Sequence, residues 1–470
     1  MNVNETITAA TLRPKVERLF ALSARKIRSI EATWDAARGT PVFTVQGVYT
    51  SRGWTEWTQG FQFGSALLQF DATGDEEFLE IGRRQTLALM ASHVSHVGVH
   101  DHGFNNISTY GNLWRLQREG RIADDPWQRH FCELALKVSG AVQAARWTEA
   151  RLTPDAPRGS AGYIYSFNGP HSLFADTMRS LRSLAVADRL GHVLMGERDQ
   201  RISLLGRLIQ HAETNAHFNV YYGEGRDRYD VRGRVAHESI FNVLDGNYRC
   251  PSSQQGYSPF STWTRGHAWC LCAYPEQLEF LETVADAELE PYGGRERVEG
   301  MFRRAALAVA DFYLEQTPLD GIPYWDTGAP GLLNLGAYLE RPADPFNEHE
   351  PVDSSAAAIG AQGLLRLGNY LRRHGDIPAG RRYRAAAFTI VGTLFDEPYL
   401  SVDERHQGLL LHSVYHRPNG WDYVPPGAKV PQGESSMWGD YHARELALLL
   451  LREANGAPYP TFFDPTSRVG

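Results

Sequence analysis

The chain has 470 residues, 42% of them hydrophobic and 22% charged, the balance of an ordinary globular protein rather than of a disordered, collagenous or coiled-coil one. Lys and Arg number 47 against 55 Asp and Glu, a formal charge of −8 that argues against nucleic acid as the main partner, since phosphate binding wants a basic face. No run approaches the ~18 apolar residues needed to span a bilayer, and no apolar leader opens the sequence, so no membrane association is expected and the expected location is the cytoplasm.

Helical periodicity dominates the chain. Apolar residues recur at three- and four-residue spacing over residues 12–36, 57–70, 78–94, 107–116, 127–147 and 173–190, then over 202–217, 265–284, 298–316, 356–371, 383–395 and 436–451. Punctuation agrees with that reading. Gly74 suits a left-handed C-terminal position and Asp75 the cap of the next helix. Asp353, Ser354 and Ser355 offer caps before the small-residue run that begins at Ala356, where a helix can approach its neighbours closely. The segments rich in Gly, Pro and Asp fall between helices, at 152–169, 223–262, 318–351 and 420–435, and they concentrate Trp, Tyr, His, Asp and Arg. Long loops of that kind tend to be functional. No Pro/Ser linker divides the chain, so a single domain over 1–470 is expected. Periodicity alone establishes an all-α protein.

The four cysteines carry no site. Cys270 and Cys272 lie two apart on a helical stretch and face different sides of it, a poor clamp for a metal or a disulfide. Cys132 and Cys250 read as plain thiols.

Three clusters have the composition of a sugar site. His100-Asp101-His102-Gly103-Phe104 places a carboxylate at a loop-to-helix junction, where it either caps the helix or faces a cleft. Asp176 stands among Leu173, Phe174 and Met178, where desolvation would raise its pKa and suit it to hold a proton near neutrality; a first-turn Asp favoured by the helix dipole has the same pattern. The stretch from Gln255 to Trp269 offers aromatic faces for a sugar ring in Trp263 and Trp269, a carboxylate fork in Arg265 and a hydroxyl partner in Gln255, with His237 in a polar loop upstream.

These blocks resemble the unsaturated glucuronyl hydrolases (glycoside hydrolase family 88) and, more distantly, the unsaturated rhamnogalacturonyl hydrolases (family 105). The similarity rests on Trp57-Thr58-Gln59-Gly60-Phe61, Thr73-Gly74-Asp75, His100-Asp101, Asp176-Thr177-Met178, Gln255 to Trp269, Pro323 to Asp326, Asp353 to Ala358 and Trp438-Gly439-Asp440-Tyr441, in family order over most of the chain. It implies an (α/α)6 toroid and removal of a terminal 4,5-unsaturated uronic acid from lyase-generated di- or oligosaccharides. The implied chemistry is hydration of the C4=C5 vinyl ether, distinct from displacement at the anomeric carbon.

The same resemblance implies Asp176 as general acid and then base, Asp101 as the carboxylate that holds ring hydroxyls and tunes Asp176 upward, and no metal or organic cofactor. It implies His100, His237, Gln255 and Arg265 as substrate-binding residues, with Trp263, Trp269 and Trp57 lining the subsite. The chain departs from the pattern before the second aspartate, where Tyr163, Tyr165 and Phe167 stand in place of an expected Trp. It departs again between His416 and Trp438, a long Pro/Gly-rich stretch carrying Trp421, Tyr423 and Lys429. Alternative readings are another (α/α)6 sugar enzyme, either a saturated β-glucuronidase or an epimerase of the N-acylglucosamine 2-epimerase type working through paired histidines, and an inert carbohydrate-binding homologue. The first does not account for two aspartate blocks in order, and the presence of Asp176 speaks against the second.

Overall fold

The computed structural model describes residues 1–53 and 56–463. Helix is found at each place where the periodicity predicts it. Numbered in chain order, the principal helices are α1 (Ala9–Thr33), α2 (Gln59–Thr73), α3 (Glu76–Leu89), α4 (102–118, with a π turn at Ile107–Gly111), α5 (Pro126–Ala145) and α6 (177–189, bent at Leu181). The series continues with α7 (Leu204–Phe218), α8 (Thr264–Leu281), α9 (Gly294–Gln316), α10 (Ser354–Arg373), α11 (Ile377–Leu394) and α12 (Met437–Ala454).

The even-numbered helices pack side by side in chain order, and α12 returns to α2 to close the ring. The odd-numbered helices lie outside: α3 against α2, α5 against α4 and α6, α7 against α6, α9 against α8, and α11 against α10, with α1 laid over α12 and α2. This is the expected (α/α)6 toroid. Burial follows the two layers. Every residue of α8 is buried, whereas α3 buries little beyond Phe78, Leu79, Gly82 and Thr86, the single stripe of an amphipathic outer helix. Close approach inside the ring needs small residues: a Cβ on Gly103 would sit 2.4 Å from the Ser180 carbonyl oxygen, and one on Gly363 2.3 Å from that of Leu271. The expected caps form: Gly74 takes φ 74°, Asp75 accepts from the Glu77 N–H, and Asp353 accepts from those of Ser355 and Ala356. All four cysteines are unpaired, and among the described residues no helix is long and apolar enough to cross a membrane.

Two boundaries differ from expectation. Residues 172–174 form a strand, so the helix read from 173 begins at Thr177. The segment 223–262, expected to be irregular, contains strands Glu238–Phe241 and Tyr248–Ser252. The cause is tertiary: Glu238–Phe241 lies between the other two strands in an antiparallel sheet, with Phe174 opposite Glu238. The pairing fixes the backbone leading into Asp176.

The middle of the ring is held by charge. Arg179 bonds Glu276 and, at 3.1 Å, Glu445; Arg182 lies 3.5 Å from Glu445; Arg366 pairs with Glu279 and lies 3.9 Å from Glu276. All are at most 5% exposed by side chain. Arg182 also donates to the Gly103 carbonyl and Ser108 Oγ, so the cluster joins α4, α6, α8, α10 and α12. Burial works against the Glu445 carboxylate, but Arg179 and Arg182 outweigh it and hold the group well below its ordinary range, while burial lowers Arg182 to about 10. Replacing one member by a neutral isostere strands a buried charge. Glu276→Gln is therefore expected to remove about 3–5 kcal/mol of stability, read as a fall in urea midpoint and melting temperature; an unshifted midpoint would show that the cluster does not hold the ring.

Candidate active site

The N-terminal ends of α2, α4, α6 and α8 line one cavity, and those of α10 and α12 stand behind it through Asp353 and Trp438. Trp57 and Thr58 precede α2, Asp101 precedes α4, Asp176 precedes α6, Trp263 precedes α8, Asp353 precedes α10 and Ser436 precedes α12. Loops at this end enclose about 470 Å³ lined by Trp57, His100, Asp101, Asp176, Gln255, Trp263, Arg265 and Trp269, with Phe104, Phe167, Tyr415, His416 and Trp421 among the rest. Eight of the nine residues expected at the site line this cavity. His237 lies just behind the wall, edge-on to Trp263 at 4.6 Å.

Asp101 and Asp176 occupy N-cap positions, yet neither side chain bonds a first-turn N–H. Capping therefore does not account for them; both carboxylates face the cavity instead. His100 stands between them, Nε2 being 3.8 Å from Asp101 and 3.9 Å from Asp176. Electrostatics reverse the expected order of the two acids. Burial would raise Asp176, but His100 beside it, and then His237, draw it below its ordinary value. Burial raises Asp101 above its own, against the opposing pull of His100. The carboxyl held upward is thus Asp101, whereas desolvation read from sequence points to Asp176.

His237 accepts at Nδ1 from the Gln254 and Gln255 N–H groups, at 3.0 and 3.3 Å. The neutral ring then carries its proton on Nε2, which is buried and has no acceptor among the described residues; burial lowers the pKa and keeps the ring neutral. Arg265 is more committed than the sequence suggests. Its terminal nitrogens donate to Asp353 (3.1 Å), Gln255 Oε1 (2.9 Å), the Tyr415 carbonyl (2.7 Å) and the Val414 carbonyl. Its guanidinium lies between Trp263 and Trp438, 4.6 and 4.8 Å from their centroids. Arg265 is therefore a strut joining α8, α10 and the 414–415 wall, and it aims the Gln255 amide by holding its oxygen.

The walls are aromatic. Trp57 stacks on Trp438 at 5.1 Å, and Trp269 packs on Phe104 at 4.9 Å. Phe167 stacks on His100 at 5.9 Å at the cavity wall, whereas Tyr163 is turned away into a separate small core. His416, which the sequence marks only as the edge of the stretch departing from the family pattern, also lines the cavity. Its Nδ1 accepts from the Asn419 N–H, its Nε2 is buried without a partner among the described residues, and burial lowers it to about 4, so it offers a neutral N–H donor. The signal was available in its spacing from Trp421, which it packs against at 4.8 Å, but it lies just outside the segment marked as a loop. Among the described residues no three His, Cys, Asp or Glu side chains are grouped to hold a metal ion.

No family model matches the chain. The unsaturated glucuronyl hydrolase of Bacillus sp. (strain GL1) is 26% identical over 417 residues, covering 86% of this chain and 89% of that one. The unsaturated chondroitin disaccharide hydrolase of Streptococcus pyogenes serotype M1 is 24% identical, covering 86% and 83%. The crystal structure of the Bacillus sp. GL1 enzyme superposes with a TM-score of 0.67 at 22% identity, covering 97% of this chain and 99% of that one, a likeness that carries the fold. The ring architecture and these relatives support a glycoside hydrolase of the (α/α)6 class. Within that class they support assignment to the unsaturated glucuronyl hydrolase family.

The strut role of Arg265 is testable apart from substrate. Arg265→Ala leaves Asp353 buried without its cation, so a stability loss of about 3–5 kcal/mol is expected together with a raised KM. A raised KM with an unchanged urea midpoint would return Arg265 to a pure substrate contact.

Proposed function

We propose that the protein removes a terminal 4,5-unsaturated uronic acid from short oligosaccharides by hydrating the C4=C5 double bond. One observation carries the reading: two carboxylates that decline to cap their helices converge on one imidazole in an aromatic-walled cavity of about 470 Å³. Sugar rings stack on such walls, while the neutral N–H donor of His416 and the Gln255 amide suit hydroxyl and carboxylate oxygens. The shared orientation of the ring helices adds to this, because their N-terminal ends carry partial positive charge and favour an anion such as a uronate. One catalytic domain, 1–470, is proposed to house the activity, since α1 and α12 pack against each other to complete the toroid.

Asp176 is assigned as the general acid that protonates C4 and then as the base that draws a proton from the water adding to C5. Asp101 is assigned to hold the ring hydroxyls beside it. The hemiketal formed at C5 opens without further help and frees the next sugar. The substrate class follows the relatives, whose names specify unsaturated glucuronyl and unsaturated chondroitin disaccharide substrates.

The conjugated double bond absorbs in the ultraviolet and its hydrate does not. Incubation with a panel of lyase-generated disaccharides is therefore expected to bleach that band on at least one of them, and Asp176→Asn to abolish the bleaching while leaving the fold intact. A flat trace on every disaccharide by folded protein would discard the hydration reading. Near-wild-type turnover by the Asn variant would discard the role of Asp176.

A further inference from the structure

His100 has no task in that scheme beyond touching substrate, yet its placement is unusual. It is 1% exposed, and neither ring nitrogen has a hydrogen-bond partner among the described residues; nor has Asp176 Oδ1. A buried imidazole ordinarily gives at least one nitrogen to a protein partner, as His102, His237 and His416 do here. The ring is held by apolar packing instead, stacked on Phe167 and edge-on to Phe174 at 5.5 Å. One nitrogen thus faces two carboxylates at nearly equal distance, 3.8 and 3.9 Å, and a movement of about 1 Å would bring it within hydrogen-bond reach of either.

We propose that His100 is the proton store of the site: when substrate displaces water, it passes its Nε2 proton to Asp176 and so loads the general acid. The inference rests on the hydration chemistry proposed above. The imidazolium–carboxylate pair and the neutral imidazole–carboxylic acid pair hold the same protons and the same net charge. Water in the open cavity favours the charged pair. A bound sugar removes that water, and two charges in an apolar enclosure cost more than two neutral groups. The N–H bond breaks with its electrons left on Nε2, and an O–H bond forms on Asp176. Asp176 gives that proton to C4 as the π pair becomes the new C–H bond. Water bonds to C5 and returns a proton to Asp176, from which Nε2 recovers it on product release. One water is consumed and no proton is lost.

Asp101, which burial already holds upward, is the competing acceptor; the ring hydroxyls assigned to it donate to its carboxylate and keep it ionised, leaving Asp176 to take the proton. Asp101 and Asp176 face the imidazole on two sides, Arg146 approaches from the end of α5, His211 from α7 and His237 from the strand side, and His96 lies beyond Asp101. Arg146 opposes the imidazolium, but its own N–H groups are bound to the carbonyls of Val97, Tyr165 and Ser166. Burial holds His211 down to about 3 and His237 below its ordinary value, so neither competes for the proton. Burial also works against charge on His100, yet the two aspartates outweigh it and raise its pKa.

The sign of the pH effect follows. In the wild type the proton is lost as pH rises through the raised His100 value, which sets the basic limb of kcat/KM. Without the imidazole the proton must sit on Asp176 alone, whose ordinary carboxyl range lies below that of an imidazole and further still below the raised His100 value. His100→Gln is therefore expected to move the basic limb acidward by at least about one pH unit, with kcat lost at about pH 8 and recovered as the pH falls. A raised KM with an unmoved limb would overturn the proposal and leave His100 as a substrate contact. His100→Asn repeats the test should the Gln variant fail to fold. A substrate-free arm uses ¹⁵N-histidine NMR: His100 is expected to stay protonated above the ordinary histidine range in the wild type and to drop in Asp176→Asn. An ordinary value unchanged by that substitution would sink the proposal whether or not the right disaccharide has been found, whereas a wild type inert on every disaccharide with the NMR shift present would fault the substrate reading alone.

Discussion

The structure depends on a balanced set of charges in a place without water. Arg179, Arg182 and Arg366 meet Glu276, Glu279 and Glu445 in the middle of the helical ring, drawn from α6, α8, α10 and α12. A buried ion pair is weak evidence of stability against an apolar replacement, but it is strong as a constraint: no member can leave without stranding another. It therefore sets the register of the ring helices along their axes. That register brings the residues just before each helix to one level, which is where Asp101, Asp176, Trp263 and Asp353 stand.

The site is then assembled in two layers. Helix starts supply the fixed groups, and loops supply the walls. Arg265 links the layers, because one guanidinium holds Asp353, the Gln255 side chain and two carbonyls of the 414–415 wall. Asp422 continues the chain by accepting from the N–H groups of Tyr415 and His416. The wall that carries His416 is thereby tied to the aspartate end of the cavity through buried, paired groups, and the neutral state of His416 follows from that enclosure.

Much of this was legible in the sequence, for reasons that can be named. Helices with sustained periodicity declare themselves, and the caps at Asp75 and Asp353 are local chemistry that any reading of neighbours can find. Asp101 and Asp176 were legible only through the family resemblance, since their local surroundings fit helix capping equally well. What stayed hidden is long-range. The pairing of Arg265 with Asp353 joins residues far apart in sequence, so a fork suited to a ligand carboxylate could not be told from one already filled. The strand at 172–174 depends on Glu238–Phe241, which no local pattern announces. The pKa order of the two aspartates turns on where His100 points, and His416 on how a Gly/Pro-rich loop folds back.

Closure of the ring also constrains how the chain can reach this state. The seam between α2 and α12 joins segments from opposite ends of the chain, and α1 lies across it. Contacts so distant in sequence are slow to form, since loop entropy is lost before they reward it. Until α12 docks, Arg179 and Arg182 have Glu276 but lack Glu445, leaving the centre with excess positive charge that resists drying. Without α12 the three arginines face only two carboxylates, Glu276 and Glu279. Helix α12 supplies the counter-ion that balances that charge and lets the interior dehydrate.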